Sequence, residues 1–311
     1  MLLIRRPQPG RTVLPDGCVA AIGTFDGVHL GHQRIFARVI QVAAERGLPA
    51  LAFSFEPMPA EFFGRGAAPA RLTRFREKYA ALESMGLDYL FCPPFNAHME
   101  KLEPDEFINE LLVSFLNVKH LVVGDDFRFA RQRRGGVADL EAAGTRQGFT
   151  VEQVASVQVA GERVSSTDIR QALQSGDLAH ARSLLGRHYQ MTGRVVRGQG
   201  LGRKLGFPTA NVRLNRRQSA LHGIFAVRVH GLAEGTLAGV ASLGSRPTVE
   251  GEGEPLLEVH IFDFDRPIYG TYISVDFVAK LRDEERFPDL ESMTDQMHRD
   301  AARARAILQA A

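Results

Sequence analysis

The chain is poor in cysteine, with two thiols, Cys18 and Cys92, in 311 residues. Two such separated cysteines make neither a disulfide framework nor a thiolate metal centre. It also lacks an excess of either charge: 38 basic against 36 acidic residues give a formal net charge of +2. Nothing global therefore draws it to nucleic acid or a membrane surface, and any basic patch is local. No apolar run approaches the ~18 residues a membrane span needs. Residues 1–11 are broken by Arg5, Arg6 and two prolines and lack the apolar core of a signal peptide. A cytoplasmic location is expected. Internal repeats and low-complexity tracts are missing too. What remains, 44% hydrophobic and 24% charged residues, is ordinary for a globular protein, and the length admits two domains.

Up to about residue 154, short apolar runs alternate with helical patterns. Strands are expected at residues 18–24, 50–55, 89–93, 120–124 and 150–154, and helices at 33–46, 74–85, 105–115 and 139–147, with Pro104 at a helix start. Such alternation predicts a parallel sheet covered by helices on both faces, with ligands at the carboxyl ends of its strands. His29, Asp125 and Asp126 all follow strands and are placed to share one crevice. Residues 167–189 read as a polar helix bridging two domains. Beyond them, runs at 191–196, 224–230, 237–243, 256–264 and 271–278 are β-rich and separated by turn residues, which predicts a small antiparallel barrel. Residues 290–311 read as a closing helix, with Asp289 as its cap. The division expected is 1–186 and 187–311.

Two constellations carry chemistry. The first is Gly23-Thr24-Phe25-Asp26-Gly27-Val28-His29-Leu30-Gly31-His32, a glycine-rich turn between a strand and a helix. A helix N-terminus offers unpaired N–H groups and a positive dipole end to an anion, and imidazoles add donors for developing phosphate charge. A lone pair of turn histidines is as often structural. Two further segments tilt the reading toward a triphosphate site. One, around Asp125 and Asp126, runs into Arg128, Arg131, Arg133 and Arg134, which by themselves also read as a solvated basic loop. The other is Arg163-Val164-Ser165-Ser166-Thr167-Asp168-Ile169-Arg170, a helix start presenting hydroxyls and a guanidinium that matches phosphate oxygens.

The second constellation runs from Gly193 to Asn211. Glycines at 198, 200, 202 and 206 let the backbone fold closely around phosphates, and Pro208-Thr209-Ala210-Asn211 follows them. No Gly-Lys-Ser/Thr closes the stretch, so it is not a Walker A loop. Further on, Glu258 and His260 share one face of an expected strand. A lone strand glutamate is usually a solvated side chain.

Taken in order, these motifs resemble the prokaryotic bifunctional riboflavin kinase/FAD synthetase family, over about residues 18–305. The resemblance implies an α/β, Rossmann-like HxGH nucleotidylyltransferase domain, followed by an antiparallel β-barrel riboflavin kinase domain with a closing helix. It implies that riboflavin and ATP give FMN in the second domain, and that FMN and ATP give FAD and pyrophosphate in the first. His29 and His32 would steady the α-phosphate and the departing pyrophosphate, with Gly23, Phe25, Gly31 and Asp126 part of the nucleotide site. Ser166, Thr167 and Arg170 would hold the outer phosphates, with Arg163 near them. In the kinase, Thr209 and Asn211 would place Mg²⁺ with ATP, Gly198, Gly200, Gly202 and Gly206 would line the phosphates, and Glu258 would be the base. Arg286 and Phe287 are the expected flavin contacts, in the matching segment 281–287; another match is 239–248. Two departures from the family pattern stand out: Met58 where histidine is usual, and Ala130 where glycine is common. ATP, riboflavin and FMN are the expected partners, with no nucleic acid and no membrane. Homo-oligomerisation and the choice of Mg²⁺ over Mn²⁺ are left open. Two rival readings are adenylylation of a different phosphate ester, and a flavin- or nucleotide-sensing module that binds nucleic acid through Arg128, Arg131, Arg133 and Arg134.

Overall fold

The computed structural model describes residues 1–7, 10–64, 68–198, 200, 202, 205–245 and 254–310. Gln199, Leu201, Arg203 and Lys204 of the glycine-rich stretch lie outside the described residues, as do Arg246, Pro247 and Thr248. The chain forms two compact units, Met1–Pro69 with Phe75–Val164, and Ala70–Arg74 with Ser165–Ala311.

The first unit is built on a six-stranded sheet of β1 (Leu2–Ile4), β2 (Cys18–Ile22), β3 (Ala50–Phe53), β4 (Tyr89–Phe91), β5 (Val118–Gly124) and β6 (Thr150–Val154). The order is β1-β4-β3-β2-β5-β6, and every pairing is parallel. Strand β2 is buried throughout because it faces two cores. Cys18, Ala20 and Ile22 enter one apolar cluster; Val19 and Ala21 enter the other. That is the period-2 alternation of a strand covered on both sides. Helix α1 (Leu30–Arg46) buries Phe36, Val39, Val42 and Ala43 at helical spacing and ends on Gly47, at φ +64°. The order reverses between β2 and β5, so the loops leaving their carboxyl ends flank the crevice where ligands of such sheets bind.

Three differences from the expected elements have local causes. The helix expected over 105–115 is a short turn, Pro104–Phe107, running into a π-helical segment, Ile108–Phe115. Its apolar residues Ile108, Leu111, Leu112 and Phe115 are buried, and their spacing does not distinguish the two windings. The helix expected over 167–189 is two, Ser166–Ser175 and Leu178–Leu185; Gly176 ends the first at φ +80° and Asp177 caps the second. Strand β1 was not foreseen: it is three residues long, half-exposed to exposed, and lies at the sheet edge.

The second unit centres on a closed antiparallel barrel of β7 (Tyr189–Val196), β8 (Ala210–Arg213), β9 (Gly223–Leu232), β10 (Gly235–Ser245), β11 (Pro255–Ile261) and β12 (Tyr272–Arg282), in the order β8-β11-β10-β9-β12-β7. Alternation fixes its inside: Leu257, Val259 and Ile261 are buried while Leu256, Glu258 and His260 between them are half-buried. The closing helix, Leu290–Ala310, packs Ala304 and Leu308 onto Ala226, Val240 and Leu281. Asp289 accepts the Ser292 N–H at 2.7 Å as its cap. Segment Ala70–Arg74 is held within this unit by buried Arg216, which donates to the Arg71 carbonyl at 2.8 Å and to the Tyr189 hydroxyl at 3.1 Å.

Ala130 sits at φ +62°, ψ −168°, a region that strains any residue with a Cβ by about 1–3 kcal/mol. Glycine relieves that strain but adds roughly 0.4–1 kcal/mol of unfolded-state entropy. Ala130→Gly is therefore expected to stabilise the first unit by about 1 kcal/mol, seen as a higher thermal midpoint; an unchanged or lower one contradicts this.

Candidate active sites

The turn leaving β2 places its two histidines by backbone capping. His29 is the N-cap of α1, and its Nδ1 accepts the His32 backbone N–H at 3.4 Å. With Nδ1 as acceptor, the neutral ring carries its proton on Nε2. The rings of His29 and His32 stack at 3.6 Å with 18° between their planes. Gly31 makes room for this arrangement, because a Cβ there would lie 3.1 Å from the His29 ring. Phe25, expected among the nucleotide-site residues, is 1% exposed; its ring meets His32 edge-on at 5.2 Å and Phe36 at 4.5 Å. Its side chain thus backs the histidines from the core. Phe25 at φ +50° and Val28 at φ +44° are strained for residues with side chains.

His32 is held well below its ordinary range, first by burial and then by its neighbours His29 and Lys78, so the ring is neutral. Its Nδ1 is buried without a hydrogen-bond partner. Lys78, which the sequence reading passed over, is 1% exposed and donates to the Thr24 carbonyl at 2.6 Å and to Ser54 Oγ at 3.1 Å. The turn is thus pinned from below by an ammonium on the neighbouring helix.

Asp125 and Asp126 follow β5. The Asp126 carboxylate pairs with Arg163 at 2.6 Å, which unites two of the expected site residues on an exposed rim. Asp125 accepts from the Ser156 hydroxyl at 2.7 Å, and this hydrogen bond holds its carboxyl below the usual range. In the basic loop, Arg131 and Arg134 lie 2.8 and 3.8 Å from Glu103. Met58 is buried beside the first turn of Pro59–Gly64, with its N–H on Glu61. In the second unit, Ser165 caps the helix Ser166–Ser175, leaving Ser166 and Thr167 in its first turn. Arg170 donates to the carbonyls of Ala70 at 2.7 Å and Ser166 at 3.1 Å.

The barrel carries the second site. A cavity of about 380 Å³ opens on its outer face, between β11, the closing helix and the stretch after Arg282. Glu258, Thr209, Gly200, Gly202 and Phe287 line it, together with Ser242. Across the β8–β11 ladder Glu258 faces Asn211. Asn211 is 6% exposed, and its Oδ1 has no hydrogen-bond partner. Gly198 leaves that amide its space, since a Cβ there would lie 2.4 Å from Nδ2. A Cβ on Gly202 would likewise lie 2.3 Å from the Phe207 carbonyl oxygen. These two glycines make room for side chain and backbone, whereas Gly200 and Gly206 supply φ of +72° and +81°. His260 Nδ1 lies 2.9 Å from the Pro208 carbonyl, so that nitrogen bears the proton and steadies the residue before Thr209.

Arg286 is exposed and is not among the residues lining the cavity. The arginine that does line it is Arg282, which sits over the Phe287 ring at 5.6 Å and is held by Asp300, with contacts of 2.8 and 3.0 Å. Its place at a strand end, inside a charged run, gave no signal of this role. Asn211 and Thr209 supply two hard oxygens two residues apart, and one is a buried acceptor without a partner. That suits Mg²⁺, which takes few protein oxygens and completes its shell with phosphates and water. Among the described residues no cluster of three or more His, Cys, Asp or Glu could hold a metal by itself.

A histidine pair at the switch point of a parallel sheet and a glycine-lined cavity on an antiparallel barrel define a chain with two phosphate-handling transferase domains. Comparison with known proteins makes this specific. The family model for FAD synthetase matches residues 12–168 and that for riboflavin kinase matches residues 185–308. The chain is 46% identical to a bifunctional riboflavin kinase/FMN adenylyltransferase of Escherichia coli, covering 93% of this chain and 92% of that one. It is 43% identical to the protein of the same name from Haemophilus influenzae, covering 98% and 99%. The chain belongs to the bifunctional riboflavin kinase/FMN adenylyltransferase family. A Streptococcus pneumoniae crystal structure, described as a macrolide-efflux protein, superposes with a TM-score of 0.83 at 29% identity over 96% of this chain and 97% of that one. No helix among the described residues here is long and apolar enough to cross a membrane.

A histidine whose pKa falls on folding contributes stability above about pH 6.5 that is lost as pH drops toward the folded value. His32 is accordingly expected to stay neutral at pH 6 in an NMR titration, where a free imidazole is mostly charged. A His32 midpoint at or above 6.5 contradicts its burial beside Lys78.

Proposed function

We infer that the chain converts riboflavin to FMN at the barrel and FMN to FAD at the parallel-sheet unit, using ATP for both. Family membership over nearly the whole chain carries this reading, and the residues at each site supply chemistry that fits. We assign residues 1–186 to adenylyl transfer and 187–311 to the kinase, with the family models spanning 12–168 and 185–308.

In adenylyl transfer, an FMN phosphate oxygen attacks the α-phosphorus of ATP, the α–β bridge bond breaks, and pyrophosphate leaves. The phosphate is already a nucleophile, so the residues need only position it and stabilise charge. His29 offers its Nε2 proton to the developing charge. His32, neutral, adds a donor without a competing positive charge. The backbone N–H of Gly31 shares the α1 N-terminus with them. The family resemblance assigns Ser166, Thr167 and Arg170 to the outer phosphates, and Arg163 with Asp126 forms the rim of the parallel-sheet unit. Gly23 and Phe25 set the turn.

In the kinase, the ribityl 5′-hydroxyl attacks the γ-phosphorus and ADP leaves. Glu258 accepts the hydroxyl proton. Thr209 Oγ1 and Asn211 Oδ1 would hold Mg²⁺ arriving with ATP, which neutralises charge on the transferring phosphoryl group. Gly198, Gly200, Gly202 and Gly206 bring the loop close to the phosphates. Phe287 packs against the flavin with Arg282 behind it; Arg286 stays at the surface as a secondary contact. The location proposed is the cytoplasm, which suits two buried cysteines outside any disulfide, with Cys18 pushed up to about 12 by burial and so unreactive.

Glu258→Ala is expected to lower riboflavin phosphorylation by ~10²–10⁴-fold, the usual worth of a general base, while FAD formation from supplied FMN stays within twofold. Loss of both activities in a folded variant would refute two separate sites.

A further inference from the structure

We propose that Lys78 is a positioning residue for adenylyl transfer, holding the His29–His32 turn in register from beneath. This rests on the reading of that turn as the FMN adenylylation site.

The residue lies on the helix Phe75–Ser84, whose buried face consists of Lys78 and Leu82. An ammonium on the buried face of a helix is costly unless it is fully hydrogen-bonded, so its place needs a reason. The partners supply one. Nζ donates to the Thr24 carbonyl at 2.6 Å and to Ser54 Oγ at 3.1 Å, and Ser54 Oγ lies 3.2 Å from the same carbonyl. Thr24 is the first residue of the turn after Gly23, and Ser54 follows β3. The ammonium therefore ties together a helix, the end of one strand and the turn leaving the next. The Gly23 N–H bond to the Phe53 carbonyl, 3.0 Å, adds a second tie between the same strand ends. These anchors help to hold Phe25 and Val28 at positive φ, and with them the geometry by which His29 caps α1.

The same ammonium has an electrostatic effect. The charged or titratable neighbours that depress His32 are His29, on the same turn, and Lys78, on the helix packed against it, after burial itself. A cation fixed behind the rings adds to burial in holding His32 neutral, and its field adds to that of the α1 N-terminus where negative phosphate charge develops. A purely structural lysine would share the first role and not the second.

The test uses the full chain with Lys78→Met and Lys78→Arg. Three quantities are read: FAD formation from FMN and ATP, riboflavin phosphorylation at the barrel, and the His32 titration by NMR. Lys78→Met is expected to lower kcat for FAD formation about 100-fold, to leave phosphorylation within twofold, and to raise the His32 midpoint. Lys78→Arg is expected to keep that midpoint low and to recover at least about tenfold of the lost rate, as a retained buried cation should. The proposal is overturned if Lys78→Met forms FAD at the wild-type rate, or if the His32 midpoint does not move. Should Lys78→Met fail to fold, Lys78→Arg decides: a folded variant with a low His32 midpoint and activity within about tenfold supports the role, and a folded, inactive one removes it. Wild-type chain that makes no FAD in the same assay refutes the adenylylation reading instead, and the titration still reports on Lys78.

Discussion

The space beside two polar side chains, His29 and Asn211, is the constraint on which both sites depend. In each case the chain omits a Cβ. At Gly31 it would lie 3.1 Å from the His29 ring, and at Gly198 it would lie 2.4 Å from the Asn211 amide. A buried donor or acceptor can meet a phosphate or its metal only if nothing else occupies the approach, and a missing side chain achieves this without moving the backbone. The surrounding architecture then holds these groups still. A parallel sheet delivers the histidine turn to a helix N-terminus, and a closed barrel fixes Asn211 opposite Glu258.

The two sites reach rigidity by different routes. The histidine turn is held by buried polar contacts: the N-cap bond, ring stacking, and Lys78 on the Thr24 carbonyl. The barrel site is built on ladder register, with inward Leu257, Val259 and Ile261 locking the outward residues Glu258 and His260 between them. One-residue slippage would turn Glu258 into the barrel interior, so the apolar alternation that folds the strand also aims its carboxylate. The sites differ in charge as well. On the proposed reading, imidazoles at a helix N-terminus serve the first, as would suit charge spreading over a leaving pyrophosphate. On the proposed reading, a carboxylate and two neutral oxygens serve the second, as would suit taking a hydroxyl proton beside a nucleotide.

Much of this was legible in the sequence because the signals were local. Strand–helix alternation gave the parallel sheet, and β-rich runs separated by turn residues gave the barrel. The run from Gly23 to His32 is continuous, so its geometry could be reasoned from a strand, a turn and a helix. Lys78 was not legible: within an amphipathic pattern a lysine reads as solvated, and only the fold brings Ser54 and Thr24 to it. The place of Arg282 in the cavity wall was not legible, because it sits in a charged run with Arg286 and is held by Asp300, eighteen residues along and on another element. The break at Gly176 was readable, since glycine followed by aspartate ends one helix and caps the next, but the polar continuity of the segment masked it. Strand β8 was hidden inside a motif whose residues were read for chemistry instead of pairing.

The central claim is that one chain carries two consecutive transferase sites. It is tested most directly by following products by chromatography after adding riboflavin, ATP and Mg²⁺ to the purified protein. The account predicts that FMN appears first and FAD follows at its expense, with ADP and then pyrophosphate as co-products. FMN that accumulates without FAD, or the absence of any flavin phosphate, would contradict it.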